Sequence, residues 1–170
     1  MIRENREADL GEMLAIINAA AQAYHGVIPA DRWHEPYMTP DELAKEIADG
    51  VRFWVAEEDG RGSGVMGIQD KGEVALVRHA YVATALQRKG VGAGLLRHVQ
   101  SLTAKPILIG TWRDATWAIA FYQRNGFTLL LDSAKDALLR RFWSIPTRQA
   151  ETSVVLADRR WMERATSGTA

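Results

Sequence analysis

The sequence predicts one domain of the α/β (α+β) class, in which helices flank a mixed central sheet, and three observations support this. The chain has 170 residues, a length typical of a single domain. Three strand patterns separated by glycine-containing turns, within residues 51–82, predict an antiparallel meander. Beyond the meander, helical apolar spacing alternates with a continuous apolar run at residues 106–111, typical of a strand buried on both faces.

The first quarter of the chain predicts a helix and then a long loop. Asp9 is placed to cap the helix, with Glu12 three residues further on. The apolar residues that then recur at helical spacing are Met13, Ile16, Ile17 and Ala20. Residues 24–38 break this period and carry prolines, histidines and aromatic residues, so they predict a long, aromatic-rich loop.

The second helix and the meander follow. Thr39 and Glu42 form a capping box around Pro40 at the first helical position, and Gly50 ends the helix. The predicted strands of the meander are residues 51–56, 63–69 and 73–82.

The second half of the chain alternates helices and strands. One helix carries Val91, Leu95, Val99 and Leu102 on a single face. The elements predicted after it are a strand at 107–111, a helix at 114–124, and then a strand at 127–131, a helix at 133–143 and a strand at 152–157. Gly126 suits the position just after a helix. We predict that the domain spans residues 1–160 and that residues 161–170 form a disordered tail.

The composition excludes several classes of function. Cysteine is absent, which excludes disulfides, thiolate metal sites and a cysteine nucleophile. Lys and Arg together number 21, as do Asp and Glu, so the net charge is zero. A neutral chain disfavours nucleic acid and anionic membranes as partners. No segment has the pattern of a secretion signal or a membrane span, so we expect a cytoplasmic protein, and no metal site is predicted.

A glycine-containing loop lies between a strand that ends near Val82 and an amphipathic helix. Its residues are Gln87, Arg88, Lys89, Gly90, Val91, Gly92 and Ala93. A strand, a glycine loop and a helix together present free N–H groups and the positive end of a helix dipole to an anion. The alternative is a turn that only allows the helix to pack closely. The loop is neither a Walker loop nor the dinucleotide fingerprint.

This loop resembles the acetyl-CoA signature of the GNAT acetyltransferase superfamily, Gln/Arg-x-x-Gly-x-Gly/Ala. A second family block, Ala-x-x-Phe/Leu-Tyr followed by Gly-Phe, matches Ala118 to Tyr122 and then Gly126 and Phe127. The resemblance covers about residues 1–160 in element order and implies the GNAT fold with two splayed strands. It departs at Ala115, where the family often has an Asn that contacts the pantetheine arm, and Asp114 or Thr116 is expected to replace that contact.

The resemblance implies an N-acetyltransferase that uses acetyl-CoA as co-substrate, without an acyl-enzyme. The pantetheine arm would lie between the splayed strands, and a backbone N–H near Tyr81 or Val82 would polarise the thioester. Tyr122 matches the tyrosine that protonates the leaving thiolate. Without the resemblance, a core aromatic residue beside Phe121 is the alternative for Tyr122.

The general base is left open. The positions where relatives often carry Glu or His match Leu76 and Arg78, which cannot serve as a base. His79 has the opposite strand parity and is predicted to face the other side of the sheet. The remaining candidates are Glu73, His25, His34 and Glu35.

The acceptor is expected to be a small molecule with a primary amine. Trp33 and Tyr37 are predicted to form the walls of its pocket, and Arg78 is predicted to pair with a carboxylate of the substrate. The alternatives are a loop whose aromatic residues only pack on the core, and a structural ion pair for Arg78. No nucleic-acid or membrane partner is expected, and the oligomeric state, including a homodimer, is left open.

Two other functions remain open at this point. The first is a non-catalytic acyl-CoA-binding regulatory module on the same fold, which the lack of an obvious base favours and Tyr122 disfavours. The second is acetylation of a tRNA-linked amino group, which the zero net charge disfavours.

Overall fold

The computed structural model describes residues 1–167, and in this part of the chain seven strands form one mixed sheet with the order β1-β2-β3-β4-β5-β7-β6. The strands are β1 (Ile2–Glu4), β2 (Val51–Glu58), β3 (Arg61–Asp70), β4 (Ala75–Val82), β5 (Ile107–Trp112), β6 (Thr128–Leu129) and β7 (Ser153–Ala157). The pairs β1–β2, β2–β3 and β3–β4 are antiparallel, β5 runs parallel to β4, and β7 is antiparallel to β5 and β6. The predicted meander and mixed sheet are thus confirmed.

Seven α-helices accompany the sheet within the same residues. They are α1 (Leu10–Ala21), α2 (Pro40–Ala48), α3 (Val91–Ser101), α4 (Thr116–Arg124), α5 (Asp132–Phe142), α6 (Thr147–Glu151) and α7 (Arg159–Ser167). Short 3-10 turns lie at Glu7–Asp9, Gln22–Tyr24, Ala30–Arg32 and Thr84–Leu86. None of these helices combines the length and the apolar character that a membrane span requires.

The helices cover both faces of the sheet. On one face, α3 and α4 pack through Leu95, Leu96 and Tyr122 against strand residues that include Ile107 and Ile109. The alternate residue Leu108 points to the other face, where it packs with α5 and α7, while α1 and α2 cover β2 and β3 on that same face. We call these the α3–α4 face and the α1–α5 face.

The helix caps agree only in part with the sequence patterns. The predicted capping box of α2 is present, because Glu42 N–H donates to Thr39 Oγ1 at 3.2 Å and Thr39 N–H donates to Glu42 Oε2 at 2.7 Å. Asp9, in contrast, does not cap α1 with its side chain. Its carboxylate accepts from Arg3 at 2.7 and 2.9 Å and from the Arg6 N–H at 2.6 Å, so it fastens the preceding turn to β1.

Other differences lie near the ends of the chain. Strand β6 has two residues, although the sequence predicts a strand over 127–131. The predicted disordered tail from residue 161 is wrong through Ser167, because α7 continues to that residue and Trp161 and Met162 pack against the apolar cluster beneath α5. Residues 168–170 lie outside the described residues.

Candidate active site

Strands β4 and β5 separate and leave a cleft through the sheet. Their pairing covers only Ala75 to Val77 against Ile107 to Ile109, after which β4 runs on to Val82 and β5 to Trp112. A cavity of about 960 Å³ lies along this divergence. The predicted splayed strands are therefore present, and the cavity has the size of a small-molecule site.

A β-bulge occurs in β4 beside the cleft. Gly67 pairs with Arg78 and Val65 pairs with Tyr81, so Met66 alone stands opposite two residues of β4. One of these two, His79, has a left-handed backbone with φ of 50°. A bulge resets the alternation of side chains along a strand, so a residue's parity no longer determines which face it occupies.

The bulge places two successive side chains against the same carboxylate of α2. Arg78 contacts Glu46 Oε2 at 2.8 Å and donates to Gln69 Oε1 at 2.8 Å. The buried Nε2 of His79 lies 2.9 Å from Glu46 Oε2, and its ring packs 5.9 Å from that of Phe53. Because α2 and Phe53 lie on the α1–α5 face, the prediction that His79 points away from Arg78 is wrong. The structural ion pair considered for Arg78 is present.

Glu46 is held in its charged form at neutral pH. Burial is the largest influence and acts to raise its pKa, but the contact with His79 and the charges of His79, Arg78 and Lys45 together lower the pKa below the usual value. His79 and Arg78 both line the cavity, whereas Glu46 stands behind them. The arrangement therefore holds an imidazole at the cavity wall with a carboxylate behind it.

The glycine loop opens the other end of the cavity. Gly90 immediately precedes α3 with φ of 87°, and Arg88 also has a left-handed backbone, with φ of 66°. The first intrahelical bond of α3 runs from Gly94 N–H to Gly90 O at 2.9 Å, so the N–H groups of the preceding turn point out of the helix end. This end of the cavity can therefore receive an anion.

The residues of the loop divide into those that face the cavity and those that do not. The residues that line it are Gln87, Arg88, Gly90, Gly92 and Ala93. Lys89 instead borders a shallow groove beside Glu58 and Asp59, and Val91 packs in the core. At Gly92 an added Cβ would lie 3.3 Å from Phe121 and Val82, so this glycine mainly permits close packing of α3 and α4.

All four tyrosines of the chain line the cavity. Tyr122 of α4 is buried, and its burial raises the pKa of its phenol above the ordinary range. Burial also raises the pKa values of the other three, which are Tyr24, Tyr37 and Tyr81. The phenols consequently stay protonated, and each can donate a hydrogen bond at neutral pH.

The aromatic loop between α1 and α2 reaches the cavity through two of its residues. The ring of Tyr24 lies 5.6 Å from that of Tyr37 and 5.8 Å from that of Trp117. Tyr37 also accepts a hydrogen bond from Trp112 Nε1 at 3.3 Å. Trp33 lies outside the lining, stacked on Tyr37 at 5.7 Å, so it supports the wall rather than forming it.

The opposite wall comes from the segment between α5 and β7, which the sequence analysis assigned no role. Trp143, Ile145 and Gln149 line the cavity there. A Cβ added to Gly110 would lie 3.2 Å from the Trp143 ring, so the indole packs directly on the backbone of β5. The only sequence signal for this contact is a glycine inside an otherwise apolar strand.

Two further positions bear on the predicted cofactor contacts. Ala115, where the family often has Asn, is fully buried beside Trp112. Thr116 begins α4 and lies outside the cavity lining, while Asn125, at the other end of α4, borders the cavity. Asn125 Nδ2 donates to Phe121 O at 2.8 Å.

The model of the acetyltransferase (GNAT) domain family matches residues 49–129, which contain the meander, the glycine loop and α4. The chain belongs to the GNAT acetyltransferase superfamily. It is an acetyl-CoA-dependent N-acetyltransferase of this family. The alternative of a non-catalytic module is therefore set aside.

Solved structures of acetyltransferases show the same fold at low identity. The PaiA N-acetyltransferase of Thermoplasma acidophilum, in complex with coenzyme A, has a TM-score of 0.71 and 17% identity, with 93% of this chain and 97% of that chain covered. A GNAT acetyltransferase of Staphylococcus aureus Mu50 has a TM-score of 0.69, 18% identity and coverage of 93% and 97%. The ribosomal-protein-S18-alanine N-acetyltransferase of Escherichia coli has a TM-score of 0.61, 17% identity and coverage of 93% and 92%. A search of curated protein sequences finds no match.

Proposed function

We propose that this GNAT enzyme transfers the acetyl group of acetyl-CoA directly to the primary amine of a small acceptor. The observation that carries the proposal is one continuous cavity, which runs from the glycine loop, through the gap between β4 and β5, to the aromatic residues of the α1–α5 face. A cofactor can therefore lie at one end and an acceptor at the other, with the reacting groups meeting in the gap.

Coenzyme A binds at the glycine loop in this proposal. The pyrophosphate lies against the N-terminus of α3, beside Gly90 and Arg88, where N–H groups and the helix dipole favour negative charge. Each such contact contributes about 0.3–1 kcal/mol when exposed, and several act together. Within the described residues, a Cβ built on Gly90 would meet no heavy atom within 4 Å apart from those of Gly90 and its neighbours along the chain, so the space there is open to a ligand.

The thioester carbonyl is polarised by the N–H of Val82. Tyr81 pairs with Val65, and the Ala83 N–H donates to Ser63 O at 2.9 Å, so the main-chain groups of residues 81 and 83 point to β3. Backbone groups alternate along a strand, and the N–H of Val82 therefore points to the edge that faces β5. That edge lies beyond the last β4–β5 pair and is free to bind the pantetheine arm and the carbonyl oxygen.

Two side chains move protons in the proposed reaction. Tyr122 donates its proton to the leaving thiolate, and its raised pKa keeps it protonated until then. His79 accepts the proton of the attacking amine through Nδ1, because Nε2 faces Glu46. The amine nitrogen attacks the thioester carbon directly, in keeping with a chain that contains no cysteine.

A turnover assay tests the proposal. Purified protein is mixed with acetyl-CoA and a panel of small primary amines, and release of free CoA thiol is measured together with the mass of the acetylated amine. We expect a 42-dalton increase in the amine, the mass of an added acetyl group, only in the presence of enzyme. Coenzyme A binding without acetylation of any amine, peptide or free amino acid would contradict the proposal.

A further inference from the structure

The acceptor end of the cavity lacks the negative charge that would attract a cation. Within residues 1–167, no Asp or Glu lines the cavity. Glu46, which stands behind the lining residues Arg78 and His79, is already paired with both of them. A protonated ammonium group moved from water into this end would lose hydration without gaining a counter-charge, which is unfavourable. Polyamines and lysine-rich tails are therefore poor candidates.

The same end offers little to an anionic acceptor. Arg78 is the cation closest to the acceptor region of the lining, but it contacts Glu46 at 2.8 Å and Gln69 at 2.8 Å. Its charge is largely compensated, and a substrate carboxylate would have to compete with Glu46 for the guanidinium. Arg88 lies on the glycine loop and Arg124 at the end of α4, beside the proposed cofactor site.

The walls on the α1–α5 face are aromatic, aliphatic or uncharged polar. One wall carries Tyr24 and Tyr37, and the other carries Trp143, Ile145 and Gln149. Aromatic rings on both sides favour a flat or apolar molecule, because removing its apolar surface from water is favourable. Among the described residues of the second wall, Gln149 supplies the one carboxamide, which is polar but uncharged.

The two walls are also joined. Arg148 of α6 contacts Asp31, in the loop between α1 and α2, at 3.2 Å. The ion pair is exposed and weak, but it connects segments 117 residues apart in sequence across the cleft. The pair holds together the two segments that carry these walls, and a fixed separation of the walls favours a compact acceptor over an extended peptide.

We propose that the acceptor is a small primary amine on an aromatic or apolar body, without a carboxylate or a second cationic group, bound between the Tyr24–Tyr37 wall and the Trp143–Gln149 wall. This inference rests on the proposed acetyl transfer and specifies its substrate class. The amine reacts in its neutral form, which burial in an uncharged, aromatic site favours over the ammonium form.

The test compares four acceptors at saturating acetyl-CoA, namely 2-phenylethylamine, spermidine, L-glutamate and a short peptide with a free N-terminal alanine. We expect kcat/KM for 2-phenylethylamine to exceed the others by about 10-fold or more, as a hydrophobic pocket allows. The variant Gln149→Glu adds a carboxylate without changing the shape of the side chain. It should reduce the ratio of kcat/KM for 2-phenylethylamine to kcat/KM for spermidine severalfold and leave the KM for acetyl-CoA unchanged.

Gln123→Glu is the matched control, because Gln123 is exposed on α4 and lies outside the cavity lining. It should leave the ratio unchanged. A higher kcat/KM for spermidine, glutamate or the peptide in the wild type would overturn the inference while leaving acetyl transfer intact. An equal shift in both variants would also overturn it, because the charge would then act from outside the cleft. Turnover of none of the four, together with intact CoA binding by calorimetry, would overturn the inference, whereas only failure of the whole panel of amines, peptides and free amino acids would contradict the proposed transfer itself.

Discussion

The two ends of the cavity are built in different ways. The proposed cofactor end consists mostly of backbone, namely a helix N-terminus, left-handed residues at Arg88 and Gly90, and the unpaired edge of β4 beyond Val77. The proposed acceptor end consists of side chains from segments far apart in sequence, such as Tyr37, His79 and Gln149. Backbone groups can bind one invariant cofactor, whereas side chains determine which acceptor enters.

Because every acceptor uses the same cofactor, a change at the proposed cofactor end should lower turnover of every acceptor alike. Gly90→Asp should weaken CoA binding by about 100-fold or more, because it places a negative charge and a side chain at the proposed pyrophosphate site. The fold should survive, since asparagine and aspartate tolerate positive φ better than most residues, and the site beside Gly90 is open among the described residues. Isothermal calorimetry with CoA measures the effect.

Gly72→Asp provides the control for backbone strain. Gly72 has φ of 79° and open space like Gly90, but it lies in the turn between β3 and β4, outside the cavity lining. The affinity of the Gly72→Asp variant for CoA should equal that of the wild type. Equal affinity in a folded Gly90→Asp protein would place the pyrophosphate elsewhere.

A change in the gap between the two ends should affect chemistry without affecting binding. Tyr122→Phe should lower kcat by about 10²–10⁴-fold while the affinity for CoA stays constant. Burial raises the pKa of Tyr122, so its proton is lost only above the ordinary tyrosine range. The wild-type rate should accordingly show no alkaline decline between about pH 7 and pH 9.5, below the ordinary tyrosine pKa.

Tyr37→Phe is the comparison for this variant, because Tyr37 also has a raised pKa but lies in the acceptor wall. We expect it to change the KM for the acceptor more than kcat. A near-normal kcat in Tyr122→Phe would instead support the alternative in which Tyr122 only packs in the core beside Phe121.

The difference between the two ends also explains which parts of the candidate site could be predicted from the sequence. The glycine loop and α4 are contiguous segments, so their residues appear side by side as a motif, and the meander has clear turns. The prediction for His79 was wrong because it assumed that side chains alternate regularly along β4. A one-residue bulge breaks this alternation and leaves no distinct mark in the sequence. The wall at Trp143 depends on the packing of α5 across β5, a contact between residues 33 positions apart that a single sequence does not reveal.

The bulge itself gives the next prediction. His79→Asn should lower kcat by about 10²-fold, at the lower limit for loss of a general base because water can also accept the proton. The affinity for CoA should stay at the wild-type level, because His79 is proposed to meet the amine and not the cofactor. Steady-state kinetics and calorimetry with CoA, both at one fixed pH, check these expectations.

Glu46→Gln separates the positioning of His79 from its chemistry. The variant should keep the imidazole but have a reduced kcat, because the Nε2 of His79 loses the carboxylate that it contacts at 2.9 Å. Because the pKa of Glu46 is lowered in the folded protein, its ionisation stabilises the fold above the ordinary glutamate pKa of about 4.3, and this contribution is lost as the pH falls through the lower folded value. Chemical denaturation below pH 5 should therefore show a shallower loss of stability in the variant. An unchanged kcat in His79→Asn would exclude His79 as the base.

The smallest effect is expected behind the acceptor wall. Trp33 stacks on His25 at 5.0 Å and on Tyr37 at 5.7 Å, outside the cavity lining. Trp33→Ala should destabilise the fold by about 1–3 kcal/mol and, by freeing Tyr37, raise the KM for the acceptor a few-fold without changing the KM for acetyl-CoA. Trp161→Ala, on the partly buried Trp161 of α7, is the matched control for lost packing, and its KM values for the acceptor and for acetyl-CoA should both stay at the wild-type level. If Trp33→Ala behaves in the same way, the aromatic loop only stabilises the fold.

The last prediction concerns Arg78. Arg78→Ala should lower kcat and stability together, because it removes a partner of Glu46 rather than a substrate anchor. If Arg78→Ala raises the KM of an anionic acceptor alone, the guanidinium binds substrate in spite of its ion pair with Glu46.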